Sequence, residues 1–122
     1  HGDFGLGNIY RPKDPSTHTS CIIDWETAKR SIGPFDLACV LIDGGGIDGS
    51  KRRKVENEIL QKYHNGLVEG GIVGYPWETC REDYRLSIIA TTLYPLLLGD
   101  NLEFFEATMH AFEDWNCDEL LG

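Results

Sequence analysis

At 122 residues the chain is one domain or part of one, and eleven basic against twenty acidic side chains leave a formal net charge of −9. That balance excludes non-specific nucleic-acid binding, which needs a basic surface; it suits solubility, or a cationic substrate. The longest apolar stretch, residues 86–98, is too short and too interrupted to cross a membrane, while a hydrophobic content of 41% suffices for a core.

Residues 1–8 hold Gly2, Gly5 and Gly7 and read as a loop. Asn8 to Arg11 predicts a short strand. Pro12, Asp14, Pro15 and Ser16 favour turns, and Ser20 to Trp25, β-branched and bounded by polar residues, predicts a second strand. Residues 8–11 and 20–24 then pair as a ribbon. Gly33-Pro34 opens a segment with Phe35, Leu37, Ala38, Val40, Leu41 and Ile42. Its leading proline favours a short helix, with a buried strand as the alternative.

Residues 43–50 form a glycine-rich loop. From Lys51 to about Glu69, Val55, Ile59, Tyr63 and Leu67 recur every four residues. They predict a helix with that stripe inward and Lys51, Arg52, Arg53, Lys54, Glu56 and Glu58 solvated around it. Gly70-Gly71 ends it. A third helix is predicted from Trp77 to Leu98, burying Trp77, Cys80, Tyr84, Ile88 and Leu98, with Pro95 kinking it or ending its regular part near Thr91. A last helix, Leu102 to Trp115, presents Leu102, Phe105, Met109 and Phe112 on one face. Cys21, Cys39, Cys80 and Cys117 include no C-x-x-C pair and no zinc spacing. Cys21 and Cys39 lie in apolar runs and read as small buried residues, in a reduced, cytoplasmic protein without a signal peptide.

The residues with chemistry to offer lie at the front. In His1-Gly2-Asp3-Phe4-Gly5-Leu6-Gly7-Asn8 an aspartate precedes an asparagine by five positions, and Asp24 closes the run Cys21-Ile22-Ile23. Two carboxylates and an amide oxygen in such an arrangement suit phosphoryl transfer: one carboxylate orients a hydroxyl, and the other groups hold magnesium against phosphates. Each of these residues alone is also ordinary turn chemistry. Further on, Gly44-Gly45-Gly46-Ile47-Asp48-Gly49 matches the glycine pattern of a dinucleotide-binding turn, with Glu69 about twenty residues later. That reading needs a strand before it and a parallel strand after the next helix, and only Ile72-Val73 is strand-like there. An inter-helix loop is the simpler account. The phosphate-loop pattern fails because Ser50 stands where its lysine belongs. Trp77 and Trp115 read as packing residues before they read as an aromatic wall, and His18, His64 and His110 as surface or helix-flank residues.

The three segments His1 to Asn8, Ile22-Ile23-Asp24-Trp25-Glu26 and Gly33-Pro34-Phe35-Asp36-Leu37-Ala38, in that order, resemble the aminoglycoside phosphotransferase and choline kinase-like family. The resemblance implies an α+β, mainly helical fold: part of a protein-kinase-like C-terminal lobe, with a catalytic loop and short β-ribbon (motifs in 1–38) followed by about four helices (39–122), the N-terminal nucleotide lobe being absent. It implies Asp3 as catalytic base, Asn8 and Asp24 as magnesium ligands and hence nucleotide-cofactor contacts, and Asp36 and His1 as structural anchors of the loop. Acidic groups near the C-terminal end of relatives contact substrate amines, which nominates Glu113 and Asp114. The intact protein would be an ATP-dependent phosphotransferase (or GTP-dependent) acting on an alcohol of a small metabolite or aminoglycoside-like substrate with Mg²⁺, and this chain alone would be inactive. Gly5 departs from the longer polar side chain of relatives. The alternative is a non-catalytic kinase-like remnant, an interaction module that self-associates through surface exposed by the missing lobe.

Overall fold

The computed structural model describes residues 1–14, 16, 19–43, 49–98 and 101–122. Most of the glycine-rich segment 44–49, together with His18 and the Leu98 side chain, lies outside the described residues. A two-stranded antiparallel ribbon comes first, β1 (Ile9–Tyr10) with β2 (Cys21–Ile22), in the register Ile9 to Ile22 and Tyr10 to Cys21. Four helices follow: α1 (Phe35–Asp43), α2 (Gly49–Glu69), α3 (Trp77–Leu98) and α4 (Leu102–Asp114). The chain is therefore mainly helical with a small sheet, and the segment after Pro34 is a helix and not a buried strand. The ribbon is shorter than the pairing of 8–11 with 20–24 expected from the sequence.

Local chemistry sets the helix ends. Pro34 precedes α1, where a missing N–H costs nothing, and the Ala38 N–H donates to the Pro34 carbonyl. Helix α2 stops in a left-handed turn at Gly71 (φ +92°). There the Ile72 N–H reaches back to the Leu67 carbonyl and the Gly71 N–H to that of Val68, a pairing that satisfies the last carbonyls of the helix. The Asn101 side chain accepts from the Phe104 N–H at 2.9 Å and caps α4.

Helix α3 is central and packs against α1, α2 and α4. The core joins Ala38, Leu41 and Ile42 of α1 to Leu60 of α2, Cys80, Tyr84 and Ile88 of α3, Ala111 of α4, and Cys117 in the 3₁₀ turn Cys117–Leu120. Pro95 does not end α3 early; the helix runs on to Leu98. Ser87, Thr91 and Thr92 donate their hydroxyls to the carbonyls of Asp83, Ser87 and Ile88, four residues back. These internal bonds let Ser87 and Thr91 face the core without an orphaned polar atom.

Two expected faces are rotated. Helix α2 buries Arg52, Glu56, Leu60 and His64, one position off the predicted stripe, and Val55 is exposed. The reason is a buried polar network. Arg52 pairs with Glu56 at 2.7 Å and with Asp114 of α4, and the Tyr84 hydroxyl donates to the second Glu56 oxygen. With their partners satisfied, two charged side chains are 3% and 1% exposed where hydropathy placed them in solvent. His64 is likewise buried and bonds the Tyr75 carbonyl through Nε2 at 2.9 Å, so it is not a surface residue. On α4, Leu102 is exposed while Thr108 and Ala111 are buried, with Phe104, Ala107 and Phe112 packed beside them. Cys21 is exposed on the ribbon and not buried.

Burial pushes the Cys39 and Cys117 thiols up to about 11, from 9.0 in the open chain. The unfolded chain then ionises first, so folding stability is full below pH 9 and falls as pH rises toward about 11. Urea midpoints are expected to drop across that window, and a Cys39→Ala variant to flatten the drop; a pH-independent midpoint would mean that both thiols are hydrated in the fold.

Candidate functional site

The candidate site is built at the junction of the ribbon, the loop before it and the start of α1. Asp36, in the first turn of α1, accepts a hydrogen bond from the main-chain nitrogen of His1 at 2.7 Å on Oδ2 and from the Gly2 N–H at 2.8 Å on Oδ1. A carboxylate at a helix N-terminus is favoured by the helix dipole, and here it also ties the loop to the helical body. Gly2 adopts φ +94°, and a Cβ there would lie 2.4 Å from the Thr27 carbonyl oxygen. That position admits only glycine.

His1 bridges the loop and the segment after β2. The Asp3 N–H approaches its Nδ1 at 3.3 Å, so Nδ1 accepts and Nε2 carries the proton, donating to the Ile23 carbonyl at 2.9 Å. The ring packs between Phe4 and Trp25 at 5.7 and 4.7 Å between centroids. Trp25 is held in turn by its indole N–H on the Ile22 carbonyl.

Asp3, Asn8 and Asp24 are linked through the backbone. The Asn8 amide nitrogen donates to the Asp3 carbonyl at 2.8 Å, which leaves the amide oxygen as its acceptor. The Ile23 N–H donates to the Asn8 carbonyl at 2.9 Å, so the ribbon register continues by one pair and sets Asp24 one residue past the partner of Asn8. Asp24 has φ +64°, a left-handed conformation that aspartate tolerates better than most residues. It breaks the strand alternation that would send neighbouring side chains to opposite faces. Such backbone is retained where the surroundings dictate it, often at functional positions. The Asp3 and Asp24 side chains are exposed and take no hydrogen bond from the described residues.

The other nominated residues lie elsewhere. Asp114 is engaged by Arg52 and by Arg53, the latter at 3.4 Å, at the end of α4, and Glu113 beside it is exposed. Sequence reasoning passed over a second polar group, in which Tyr75 donates to Asp83 at 2.7 Å beside His64 and Cys80. Burial first, then Asp83, pushes the Tyr75 phenol far up and keeps it protonated. Tyr75 follows a loop, and no local pattern in the sequence marks its partner eight positions on.

Charge is divided unevenly along the chain. Residues 1–31 carry four basic and four acidic side chains, so the whole excess of negative charge resides on residues 32–122. Among the described residues no helix is long and apolar enough to cross a membrane.

A family model described as "Uncharacterized oxidoreductase dhs-27" (DUF1679) matches residues 1–114. The chain belongs to this family. The match takes in the loop, the ribbon and all four helices. No curated protein and no solved structure matches the chain. The DUF1679 description names an oxidoreductase, which does not fit an ATP-dependent phosphotransferase, and the enzyme class expected from the loop motifs is corrected on that finding.

Proposed function

We propose that the ribbon junction is a binding site for a divalent cation together with a nucleotide phosphate, on a chain that takes the C-terminal-lobe part of a protein-kinase-like fold of the aminoglycoside phosphotransferase and choline kinase-like kind. The observation that supports this best is the closed set of bonds around Asp36, His1 and Asn8. Asp36 fixes the loop, His1 ties the loop to the residue before Asp24, and Asn8 spends its N–H₂ on Asp3 and keeps its oxygen. Asn8 and Asp24 would hold the cation. Both offer oxygen, the donor that Mg²⁺ requires, and two protein ligands leave positions for phosphate and water. The cation would neutralise phosphate charge there. Asp3 supplies an unengaged carboxylate that can accept a hydrogen bond from an alcohol. No transfer reaction is carried over with the binding site.

The oxidoreductase in the family's description is not extended to this chain. In the sequence the glycine pattern 44–49 follows α1, a helix that ends at Asp43, and its last glycine is the first residue of α2; α2 leads to α3, whereas a dinucleotide turn needs a strand on each side of its helix. The four unpaired thiols suit a reducing compartment such as the cytoplasm.

Titration of ¹⁵N-labelled protein with Mn²⁺, with and without ATP, tests the proposal. Selective broadening around Asn8 and Asp24 is expected, stronger with ATP and abolished by Asp24→Asn. Uniform or absent broadening in the folded chain would reject the site. One observation favours a second reading, an interaction module: Leu6, Tyr10, Ile22, Ile23 and Trp25 are all exposed on the ribbon segment. Concentration-dependent association that Trp25→Ser removes would support it.

A further inference from the structure

The first two turns of α3 and the corner after α4 enclose an open cleft of about 310 Å³, at the small end of ligand-sized pockets. It is separate from the ribbon junction and shares no residue with it. Four α3 residues line one wall, Glu78, Arg81, Glu82 and Arg85, at helical spacings that put them on one face. Trp115, Asn116 and Glu119 form the other.

Three features of the cleft are unusual. The wall alternates in sign, carboxylate, guanidinium, carboxylate, guanidinium, across a span of eight residues. Trp115 is fixed by the edge of Tyr84 at 4.9 Å and has the Arg81 guanidinium 5.7 Å from its ring centre, so an aromatic face with affinity for cations meets the charged wall. Arg85 has a buried Nε–H without an acceptor among the described residues. Its terminal nitrogen bonds the Asn116 carbonyl and the Glu119 carboxylate, the latter at 2.8 Å. A buried donor left unmatched calls for a partner. The Glu119 side chain is 65% exposed, so its pair with Arg85 is a weak one that a competing carboxylate can displace.

We infer that this cleft binds a small zwitterion, a free α-amino acid, whose carboxylate takes the place of Glu119 on Arg85 and Arg81 and whose ammonium lies between Glu78, Glu82 and the Trp115 ring. The mixed lining selects this class. A simple anion meets three carboxylates, and a simple cation meets two guanidinium groups, whereas a molecule carrying both charges a few ångströms apart satisfies each wall in turn. Glu119 acts as a tethered stand-in for the ligand carboxylate.

L-Phenylalanine is the probe, followed through the Trp115 indole and arginine Nε signals of ¹⁵N-labelled protein. Saturable shifts confined to Trp115, Arg81 and Arg85 are expected. N-acetyl-L-phenylalanine, which lacks the ammonium, and L-phenylalaninamide, which lacks the carboxylate, should each bind at least about tenfold more weakly. Arg81→Gln should weaken binding and Glu119→Gln should tighten it. Both side chains are exposed, so neither change threatens the fold. The inference is overturned by the absence of a saturable shift, by equal binding of either singly charged analogue, or by a Glu119→Gln variant that binds no more tightly than the parent.

Discussion

Glu56→Ala is expected to destabilise the chain by about 3–5 kcal/mol, a large share of the stability of a domain this size. The substitution leaves both partners of a buried carboxylate unsatisfied at once. The Arg52 guanidinium loses its 2.7 Å contact, and the Tyr84 hydroxyl loses its acceptor. Asp114 continues to face Arg52 but serves one side of the guanidinium only. The positive charge is then buried without full compensation, which costs far more than the pair contributed. Replacing the three groups together, with Arg52→Met, Glu56→Leu and Tyr84→Phe, should recover most of the loss, because a matched apolar set removes the desolvation penalty along with the attraction. Urea unfolding followed by circular dichroism measures both. A loss below about 1 kcal/mol for Glu56→Ala would show that water reaches the pair.

Asp36→Ala should act in the opposite manner, with a large local effect and a small global one. Its two oxygens hold the main-chain nitrogens of His1 and Gly2, and each charge-assisted bond of this kind contributes about 1.5–3 kcal/mol. None of the described residues before position 32 belongs to the buried core, which begins beyond them and is centred on α3. Loss of the carboxylate therefore releases the loop while the helices stay packed. Amide exchange at Gly2 and Asp3 should accelerate by orders of magnitude, and broadening by Mn²⁺ at Asn8 should vanish, with the urea midpoint nearly unchanged. An Asp36→Ala variant that unfolds at the same urea concentration as Glu56→Ala would show that loop and helices form one cooperative unit.

The helices were legible in the sequence because their signals are local. Pro34 opening α1, Gly70-Gly71 closing α2 and the apolar spacing across residues 77–98 each act within a turn or two. The faces of α2 and α4 were misjudged because the decisive partners are distant. Nothing near Arg52 and Glu56 distinguishes a buried i, i+4 pair from a solvated one; Tyr84 and Asp114, 28 and 62 positions away from Glu56 and Arg52 respectively, make the difference. The same holds for His64, whose partner is a backbone carbonyl across a loop. At the candidate site, Asp3, Asn8, Asp24 and Asp36 were singled out by motif. The left-handed backbone at Asp24, the close approach of Gly2 to Thr27 and the bridging tautomer of His1 emerge only once the ribbon is folded. The cleft beside Trp115 is not marked by any local pattern, since its walls come from α3 and from the corner after α4, some thirty positions on.

The separation of charge between a neutral ribbon and an acidic helical body gives the molecule a direction. An approaching anion is repelled by the net charge of the helical body, and the loop and ribbon residues, whose charges sum to zero, add nothing to that repulsion. At low ionic strength this field reaches beyond the protein's own radius; at physiological salt it decays within about 8 Å. An anion therefore meets less net repulsion on the ribbon side than on the helical side, and the difference shrinks as salt is added.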